Sequence, residues 1–242
     1  MGMWSLIPSA TISEIGALAG LDFQILDLEH GSYDLSSLEE NIRACEIANC
    51  SPIVRVPNLN PSIFQSVLDL GAHGIIAPQI NNKEDAELVV KYTKFPPRGC
   101  RGYNPFTRSA DYSNPPNNQI GKLDNSFCLI SVIIENNDAY SDLHRILEIQ
   151  EIDVIYLGIY DMSLALNCDG NTQDPRVLDF VTNAAKLILD EGKHVGMMVR
   201  SIDEMEYALA LGARFLVYSV DSNILYNAIY EPLRKFRQLI DK

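Results

Sequence analysis

The stretch LAGLDFQILDLEH, residues 18–30, contains the pattern that decides the fold. A helical segment ends at Gly20, a short apolar run follows at once, and two acids and a histidine close it. Glycine commonly follows the last turn of a helix, because it adopts a left-handed conformation without steric cost. The stretch therefore predicts a helix, a tight turn and a buried strand with polar side chains at its carboxyl end.

The same pattern of helix, glycine and strand returns at Gly71, Gly192 and Gly212. The apolar runs are rich in Ile, Val, Leu and Phe without polar alternation, which is typical of parallel strands covered on both faces. The predicted strands are Met3–Ile7, Asp22–Leu28, Pro52–Val56, Gly74–Ala77, Phe127–Ile134, Asp153–Leu157, His194–Val199 and Arg214–Ser219, with a weaker one at Gly99–Arg101.

Amphipathic segments alternate with these runs. They span Thr11–Ala19, Leu35–Ala48, a segment starting at Asn60-Pro61, Asn82–Thr93, Ala139–Ile149, Pro175–Glu191, Ser201–Leu211 and Asp221–Leu239. Eight or so strand–helix units in roughly 250 residues predict one (β/α)₈ TIM barrel, a single domain over residues 1–242. An open doubly wound sheet is the alternative. The barrel is favoured because no Gly-x-Gly-x-x-Gly follows the first strand and many strands end in polar residues.

Composition restricts the classes of partner. Lys and Arg number 19 against 32 Asp and Glu, so the net charge is −13. We therefore expect no binding to nucleic acid or to anionic membranes, both of which require basic surface. Five cysteines without a C-x-x-C pair fit a reducing compartment. With no apolar run long enough to span a membrane and no signal-peptide pattern, the expected location is the cytoplasm.

The candidate chemistry lies at the predicted carboxyl ends of strands, where barrel active sites are built. Asp27, Glu29 and His30 follow the second strand, and Arg55 follows the third. Pro78-Gln79, Glu135 and Asp161 follow later strands. Two carboxylates from separate strands, with no Cys or His joining them, favour a hard cation such as Mg²⁺ or Mn²⁺. His30 is a candidate acid or base.

Simpler interpretations remain open at this point. Glu135 and Asp161 could each cap the helix that follows, since Asp is a common first residue of helices. Arg55 lies in an apolar strand, which is costly unless the guanidinium is paired. Two interpretations explain Arg55 equally well. It could form an ion pair with Asp69 or Asp27, or it could recognise a substrate carboxylate. The long irregular segment Tyr103–Ser126 is rich in Asn and Pro and predicts a functional loop.

The ordered motifs resemble the metal-dependent 2-oxo acid aldolases of the 4-hydroxy-2-oxoheptanedioate aldolase family. The matching pieces cover about residues 2–230. They are GMW, LDFQILDLEH, IVRVP, LDLGAHGIIAP, KFPPRGCRG, IIE, LGIYDMS and ALGARFLVYSVD. Each motif alone is weak, but their order along the whole chain is specific.

The resemblance implies a role for each candidate residue. Glu135 and Asp161 correspond to the two protein ligands of a divalent cation, Mg²⁺, Mn²⁺ or Co²⁺, which chelates the 2-oxo acid. Arg55 corresponds to the arginine that stabilises the enolate, and His30 to the base. Asp69 corresponds to the acid that raises the basicity of His30, and Asp27 to another acid near the site. The implied reaction is aldol cleavage of a 4-hydroxy-2-oxo acid to pyruvate, or a related 2-oxo acid, and an aldehyde.

The chain departs from the family pattern beside the metal ligands. Ile133 stands where the family usually places a Gln that contacts pyruvate. Ile159 and Tyr160 stand where it usually has Pro and a small residue. These substitutions predict a changed substrate, with Ile133 and Tyr160 lining the substrate site. The competing functions are a CoA-ester lyase on the same scaffold and a catalytically silent ligand-binding or assembly protein. The family forms oligomers, so a homo-oligomer, typically a hexamer, is expected.

Overall fold

Eight parallel strands close into a barrel in the computed structural model, which describes residues 1–112 and 128–240. Each strand pairs with its neighbours in chain order, and β8 returns to β1. The strands are β1 Gly2–Ser5, β2 Phe23–Asp27, β3 Ser51–Arg55, β4 Gly74–Ala77, β5 Leu129–Ile134, β6 Val154–Leu157, β7 His194–Val199 and β8 Phe215–Val220. The predicted (β/α)₈ barrel is confirmed, and the open doubly wound sheet is wrong.

Helices surround the barrel. They are α1 Ala10–Leu18, α2 Leu35–Ile47, α3 Pro61–Asp69, α4 Lys83–Thr93, α5 Asn137–Ser141, α6 Leu143–Leu147, α7 Ile159–Ala165, α8 Pro175–Asp190, α9 Ile202–Ala210 and α10 Asp221–Ile240. Their ends follow from local chemistry. Gly20 and Gly71 both have φ of 97°, as predicted for residues that stop a helix. Asn60 accepts a hydrogen bond from the Ser62 amide and places Pro61 in the first turn of α3.

Several predicted elements differ in the structure. Gly99–Arg101 is irregular and not a strand, because the Cys100 amide bonds to the Lys91 carbonyl and the Arg101 amide to that of Lys94. The helix predicted over Ala139–Ile149 is two short helices, α5 and α6. Phe127 and most of the segment Tyr103–Ser126 lie outside the described residues. The described part of that segment contains a 3₁₀ turn, Arg108–Ala110.

Alternation along the strands divides the core into two layers. Ile25, Ile53 and Ile133 point into the barrel, where they pack with the aromatic rings of Trp4 and Tyr156. Residues of opposite parity, such as Leu26, Val54 and Ile134, pack outward against the helices. This is the reason the strands lack polar alternation, since both of their faces are buried. These side chains fill the interior of the barrel.

The carboxylate of Asp221, directly after β8, connects the last strand to the end of the first strand, β1. It is 4% exposed and accepts hydrogen bonds from the Ser5 hydroxyl and from the Leu6 and Ile7 amides, all near 3.0 Å. Asp221 begins α10, which then leaves the barrel with nearly every later residue exposed or half-buried. Over the two described ranges, none of the helices combines the length and hydrophobicity that crossing a bilayer requires.

Candidate active site

A cavity of about 440 Å³ opens at the carboxyl ends of the strands. Seven of the eight predicted site residues line it. They are Asp27, His30, Arg55, Ile133, Glu135, Tyr160 and Asp161. Parallel strands of a closed barrel all end at the same rim, so side chains distant in sequence meet there. The sequence rule that selected strand-end polar residues therefore selected one physical site.

A larger cavity, about 650 Å³, lies at the opposite end of the barrel. It is lined by first residues of strands, including Leu129, Val154 and Phe215. Of the arginines that line it, Arg98 is paired with Glu151 at 2.5 Å. None of the predicted site residues lines this cavity. The convergence of ionisable groups, and not size, identifies the cavity at the carboxyl ends as the candidate active site.

The arginine cluster, Trp4, Asp27, Glu29 and Arg55, occupies one side of the cavity. Asp27 and Arg55 are the last residues of β2 and β3 and are direct partners in the strand register. Arg55 Nε donates to Asp27 Oδ1 at 2.9 Å, Nη2 donates to Oδ2, and Nη1 lies 2.8 Å from Glu29 Oε2. Trp4 Nε1 donates to Asp27 at 2.7 Å, and its ring lies 4.7 Å from the guanidinium carbon. The ion pair with Asp27, one of the open alternatives for Arg55, is present.

Burial and charge oppose each other at Asp27. The carboxylate is fully buried, which disfavours ionisation. The hydrogen bonds and charge of Arg55, helped by Trp4 and the His30 amide, outweigh burial and hold the pKa of Asp27 below its ordinary value. Arg55, 8% exposed, is therefore a fixed cation with an ionised partner on one side and the cavity on the other.

Glu135 and Asp161, the carboxylate pair, lie on the other side of the cavity. Neither caps a helix. The α5 cap is Asn136, whose side chain accepts from the Ala139 amide. The residue before α7 is Gly158, and Asp161 lies inside the first turn. The two capping interpretations that the sequence left open are therefore wrong, and both carboxylates are available to the cavity.

The electrostatics of Glu135 differ sharply from those of Asp27. Burial, helped by the charges of Asp161 and Glu29, raises the pKa of Glu135 to about 7 against the hydrogen bond from the Gln79 amide and the charge of Arg55. Gly158 makes this crowding sterically possible. A Cβ placed there would lie 2.6 Å from Glu135 Cβ and 3.1 Å from Glu135 Oε2. Among residues 1–112 and 128–240, no lysine, arginine or histidine forms an ion pair with Glu135 or Asp161.

Gln79 connects the arginine cluster with the carboxylate pair. This residue was named from the sequence but was given no role. Its amide donates to Glu135 Oε1 at 2.6 Å, and its side-chain Nε2 donates to Glu29 Oε1 at 2.7 Å. Its φ of 57° is left-handed, which is uncommon for a residue other than Gly. Strained backbone of this kind clusters at functional sites. Its position at a strand end was the available signal.

His30 lines the cavity with an exposed side chain. Its backbone amide donates to Asp27 Oδ1 at 3.1 Å. Within the described ranges, no hydrogen bond orients the imidazole, and Asp27 holds only the backbone that carries it. The ring is therefore free to approach a bound substrate.

Asp69 lies apart from this group within one chain, and the role that the resemblance implies for it stays a prediction. Asp69 is the last residue of α3, which runs antiparallel to the strands and ends at the amino-terminal side of the barrel. Its carboxylate bonds to Gln65 Nε2 at 2.6 Å and to Arg101 Nη2 at 3.0 Å.

Two further residues at the cavity were missed by sequence reasoning. Arg200 follows β7, is paired with Glu204 at 2.8 Å, and places its guanidinium carbon 5.7 Å from the Tyr160 ring. Tyr156 lies on β6 with its ring inside the barrel. Arg200 looks like a helix-cap residue in the sequence and Tyr156 like an ordinary core aromatic, so neither carries a local signal. Tyr160 itself is 41% exposed at the rim.

The donor set fits a hard divalent cation. Among residues 1–112 and 128–240, no three His, Cys, Asp or Glu side chains are arranged to hold a metal by themselves. The carboxylate pair supplies two oxygen donors, and Mg²⁺ or Mn²⁺ commonly completes its shell with water and substrate oxygens. Glu135 is buried and its pKa is raised to about 7, so a cation bound beside it would stabilise the ionised carboxylate.

Comparison with solved structures finds close agreement in fold. The structure of citrate synthase SbnG superposes with a TM-score of 0.90 at 27% identity, covering 100% of this chain and 94% of that one. An HpcH/HpaI aldolase/citrate lyase family protein from Burkholderia cenocepacia superposes with a TM-score of 0.92 at 26% identity, covering 98% and 93%. Both likenesses extend over the whole barrel and not over one motif.

Comparison of sequences gives the same answer. The 2-keto-3-deoxy-L-rhamnonate aldolase of Escherichia coli is 28% identical over 237 residues, which cover 98% of this chain and 88% of that protein. The family described as HpcH/HpaI aldolase/citrate lyase matches residues 1–228, a span that includes every residue of the cavity. The aldolase resemblance inferred from the motifs is confirmed at this level, and the chain belongs to the HpcH/HpaI aldolase/citrate lyase family.

Proposed function

We propose that this protein is a metal-dependent aldolase of the 4-hydroxy-2-oxoheptanedioate aldolase type. It would reversibly cleave a 4-hydroxy-2-oxo acid to pyruvate, or a related 2-oxo acid, and an aldehyde. The observation that carries the proposal is the juxtaposition, in one cavity, of an uncompensated carboxylate pair with a fixed guanidinium and a free imidazole. The aldolase among its relatives supports the same reaction class.

Glu135 and Asp161 would hold a divalent cation, Mg²⁺, Mn²⁺ or Co²⁺. When bound, such a cation polarises the keto group of the substrate as a Lewis acid. Gln79 keeps Glu135 in place through its amide hydrogen bond. Gly158 leaves the space beside Glu135 open, since any side chain there would collide with it.

His30 would act as the base. In the cleavage direction it takes the proton from the 4-hydroxyl, the bond between carbons 3 and 4 breaks, and the aldehyde carbonyl forms. The electron pair of the broken bond passes to the 2-oxo acid fragment as an enolate, which is then protonated at carbon 3. Arg55 supplies fixed positive charge beside the developing oxyanion, an effect commonly worth about 3 kcal/mol. Its pairing with Asp27 keeps the guanidinium in position throughout.

The finer features of the proposal rest on single observations. The apolar, exposed face of α10, with Leu225, Ile229, Leu233 and Phe236 between 46% and 58% exposed, supports assembly into a homo-oligomer such as a hexamer. Five free cysteines support a reducing compartment, the cytoplasm. Tyr160 and Ile133 in the cavity support a donor preference different from that of typical family members.

Pyruvate release from a panel of 4-hydroxy-2-oxo acids tests the proposal. We expect turnover with Mg²⁺, Mn²⁺ or Co²⁺, loss of turnover with EDTA, and loss in Glu135→Ala. Turnover that survives both EDTA and the substitution would refute the metal-dependent reaction. If no 2-oxo acid is turned over and calorimetry detects no metal binding, the protein is instead a silent ligand-binding scaffold.

A CoA-ester reaction is a second candidate because a citrate synthase is among the similar structures. The cavity offers only two guanidinium groups, Arg55 and Arg200, and each is already paired with carboxylates. CoA phosphates would require more basic surface than this. Release of free thiol from acetyl-CoA in the presence of oxaloacetate would favour this reaction over the aldolase.

A further inference from the structure

Tyr156 lines the floor of the cavity and carries a buried hydroxyl. The residue is 4% exposed, points inward from β6, and packs edge-on against Trp4 with ring centroids 5.4 Å apart. In the described part of the chain its hydroxyl has no hydrogen-bond partner. Buried hydroxyl groups almost always have one, because leaving one unpaired costs free energy.

The surroundings give no structural reason for the hydroxyl. Ile133 is the direct partner of Tyr156 in the register of β5 and β6, and both side chains belong to the apolar cluster inside the barrel. Phenylalanine would fill the same volume and make the same contact with Trp4 without burying an unpaired polar group. The hydroxyl of Tyr156 is therefore expected to have a partner that is absent from the free protein.

The position of the ring indicates the function. Tyr156 lines the same cavity as Arg55, Glu135 and Gly158, in the layer directly below the strand-end carboxylates. Burial raises the pKa of Tyr156 above its ordinary value. The group is therefore a neutral hydrogen-bond donor at any working pH, and the partner that it lacks is an oxygen acceptor.

We propose that the Tyr156 hydroxyl binds the 2-oxo acid by donating a hydrogen bond to one of its carbonyl or carboxylate oxygens. The choice of a 2-oxo acid as ligand rests on the proposed function. Bound substrate would supply the hydrogen-bond acceptor that the Tyr156 hydroxyl lacks in the free protein. The hydroxyl therefore selects ligands that place an oxygen at the floor of the cavity. Ile133, its neighbour in the same layer, offers no competing donor.

Tyr156→Phe tests this directly, with pyruvate and oxalate as probes in calorimetry, each with and without Mg²⁺. We expect the dissociation constants of both probes to rise about tenfold or more, because a hydrogen bond to a charged group is lost. We expect the unfolding midpoint to stay equal or rise, because the hydroxyl makes no bond in the free protein. A hydroxyl with a structural role would give the opposite pattern, and that result would overturn the proposal.

Tyr140→Phe is the matched control. Tyr140 packs edge-on against Phe180 with centroids 4.9 Å apart, outside the barrel interior. We expect this variant to bind both probes like the wild type. Adding Ile133→Gln to Tyr156→Phe should recover part of the lost affinity, since the amide would enter the same layer from the adjacent strand.

The outcomes separate this proposal from the proposed reaction. Equal affinity of wild type and Tyr156→Phe for both probes, with turnover intact, would overturn the role of the hydroxyl and leave the aldolase standing. Weaker binding by the variant, in a wild type that cleaves no 4-hydroxy-2-oxo acid, would establish the hydroxyl contact and refute the reaction. A wild type that binds neither probe would refute both.

Discussion

The two sides of the cavity differ in whether their carboxylates form ion pairs. In the arginine cluster, Asp27 and Glu29 are both paired with Arg55, and Trp4 adds a further hydrogen bond. In the carboxylate pair, Glu135 and Asp161 line the cavity without an ion pair in the described part of the chain, and the pKa of Glu135 rises to about 7. One side is complete in the folded chain, whereas the other becomes complete only when positive charge is supplied.

The comparison teaches which part of the site is structural and which is a binding site. A buried ion pair whose members satisfy each other fixes geometry, and removing one member is strongly destabilising. A pair of crowded carboxylates destabilises the free protein, and this free energy is recovered on binding a cation. The four predictions that follow test this division, from the largest expected effect to the smallest.

Glu135→Gln should have the largest effect, and on function rather than stability. The substitution keeps the shape of the side chain and removes the charge that a cation requires. We expect calorimetric Mn²⁺ binding to be lost and pyruvate release to fall roughly 1000-fold. Glu39→Gln, which removes only an exposed pair with Arg43 on α2, should change neither. Undiminished Mn²⁺ affinity in Glu135→Gln would show that the metal lies elsewhere.

Asp27→Asn should have the largest effect on stability. It leaves Arg55 buried with one ionised partner instead of two, and we expect the free energy of unfolding in urea to fall by about 3 kcal/mol. Glu29→Gln should cost less, because Glu29 is more exposed and Asp27 remains. Mn²⁺ binding at Glu135 and Asp161 should persist in both variants. If Asp27→Asn is as stable as the wild type, the arginine cluster is not the structural side of the cavity.

The metal-free protein should lose stability as the pH rises from 4.5 to 7. In this window folded Glu135, with a pKa of about 7, binds more protons than it does unfolded, where the value is 4.5. The folded state therefore loses its advantage as the pH rises through the folded pKa. Asp27, whose pKa is lowered below 3.8, stays ionised in both states above pH 4.5 and adds no slope.

Thermal unfolding at successive pH values, with EDTA present, measures this slope. Other groups titrate in the same window, so the informative quantity is the difference between wild type and Glu135→Gln. The substitution should remove part of the decline, and saturating Mg²⁺ should remove the same part in the wild type. Identical pH profiles for wild type and Glu135→Gln would show that the pKa of Glu135 is not raised in the folded protein.

Tyr160→Ala should have the smallest effect. The ring lies at the rim, 41% exposed and 5.7 Å from the Arg200 guanidinium carbon, so its loss should barely alter stability. We expect the ranking of 2-oxo acid donors by kcat/KM to shift toward larger ones as the rim widens. Leu164→Ala, on the exposed surface of α7, is the control. An unchanged ranking would assign substrate selection to the floor of the cavity alone.

Sequence patterns predicted most of the fold because each signal was local. Gly20 and Gly71 stop helices wherever they occur, and apolar runs such as Gly74–Ala77 form strands that both faces of a barrel bury. Elements with weak local signals were misassigned. Gly99–Arg101 has strand-like neighbours, yet its amides bond to carbonyls at the end of α4, a tertiary contact with no sequence signature.

The site could be predicted where its residues stand directly at strand ends. Asp27, Arg55 and Glu135 follow apolar runs, and barrel topology alone brings such positions together. Asp69 shows the limit, because its role comes only from the resemblance and stays a prediction, while within one chain α3 places it away from the cavity. Gln79 shows the converse, since its importance comes from a left-handed backbone that presents its amide to Glu135.

The sequence by itself determined the order of strands and helices, the closed barrel, and the set of strand-end groups that face one cavity. Those features follow from local propensity and from the period of the hydrophobic pattern, which need no knowledge of partners. Only the tertiary structure decided which charges are paired. Asp27 and Glu135 look alike in sequence, but strand register places a guanidinium beside Asp27, whereas burial and the charge of Asp161 raise the pKa of Glu135. Charge compensation depends on distance in space, and a sequence does not specify distance.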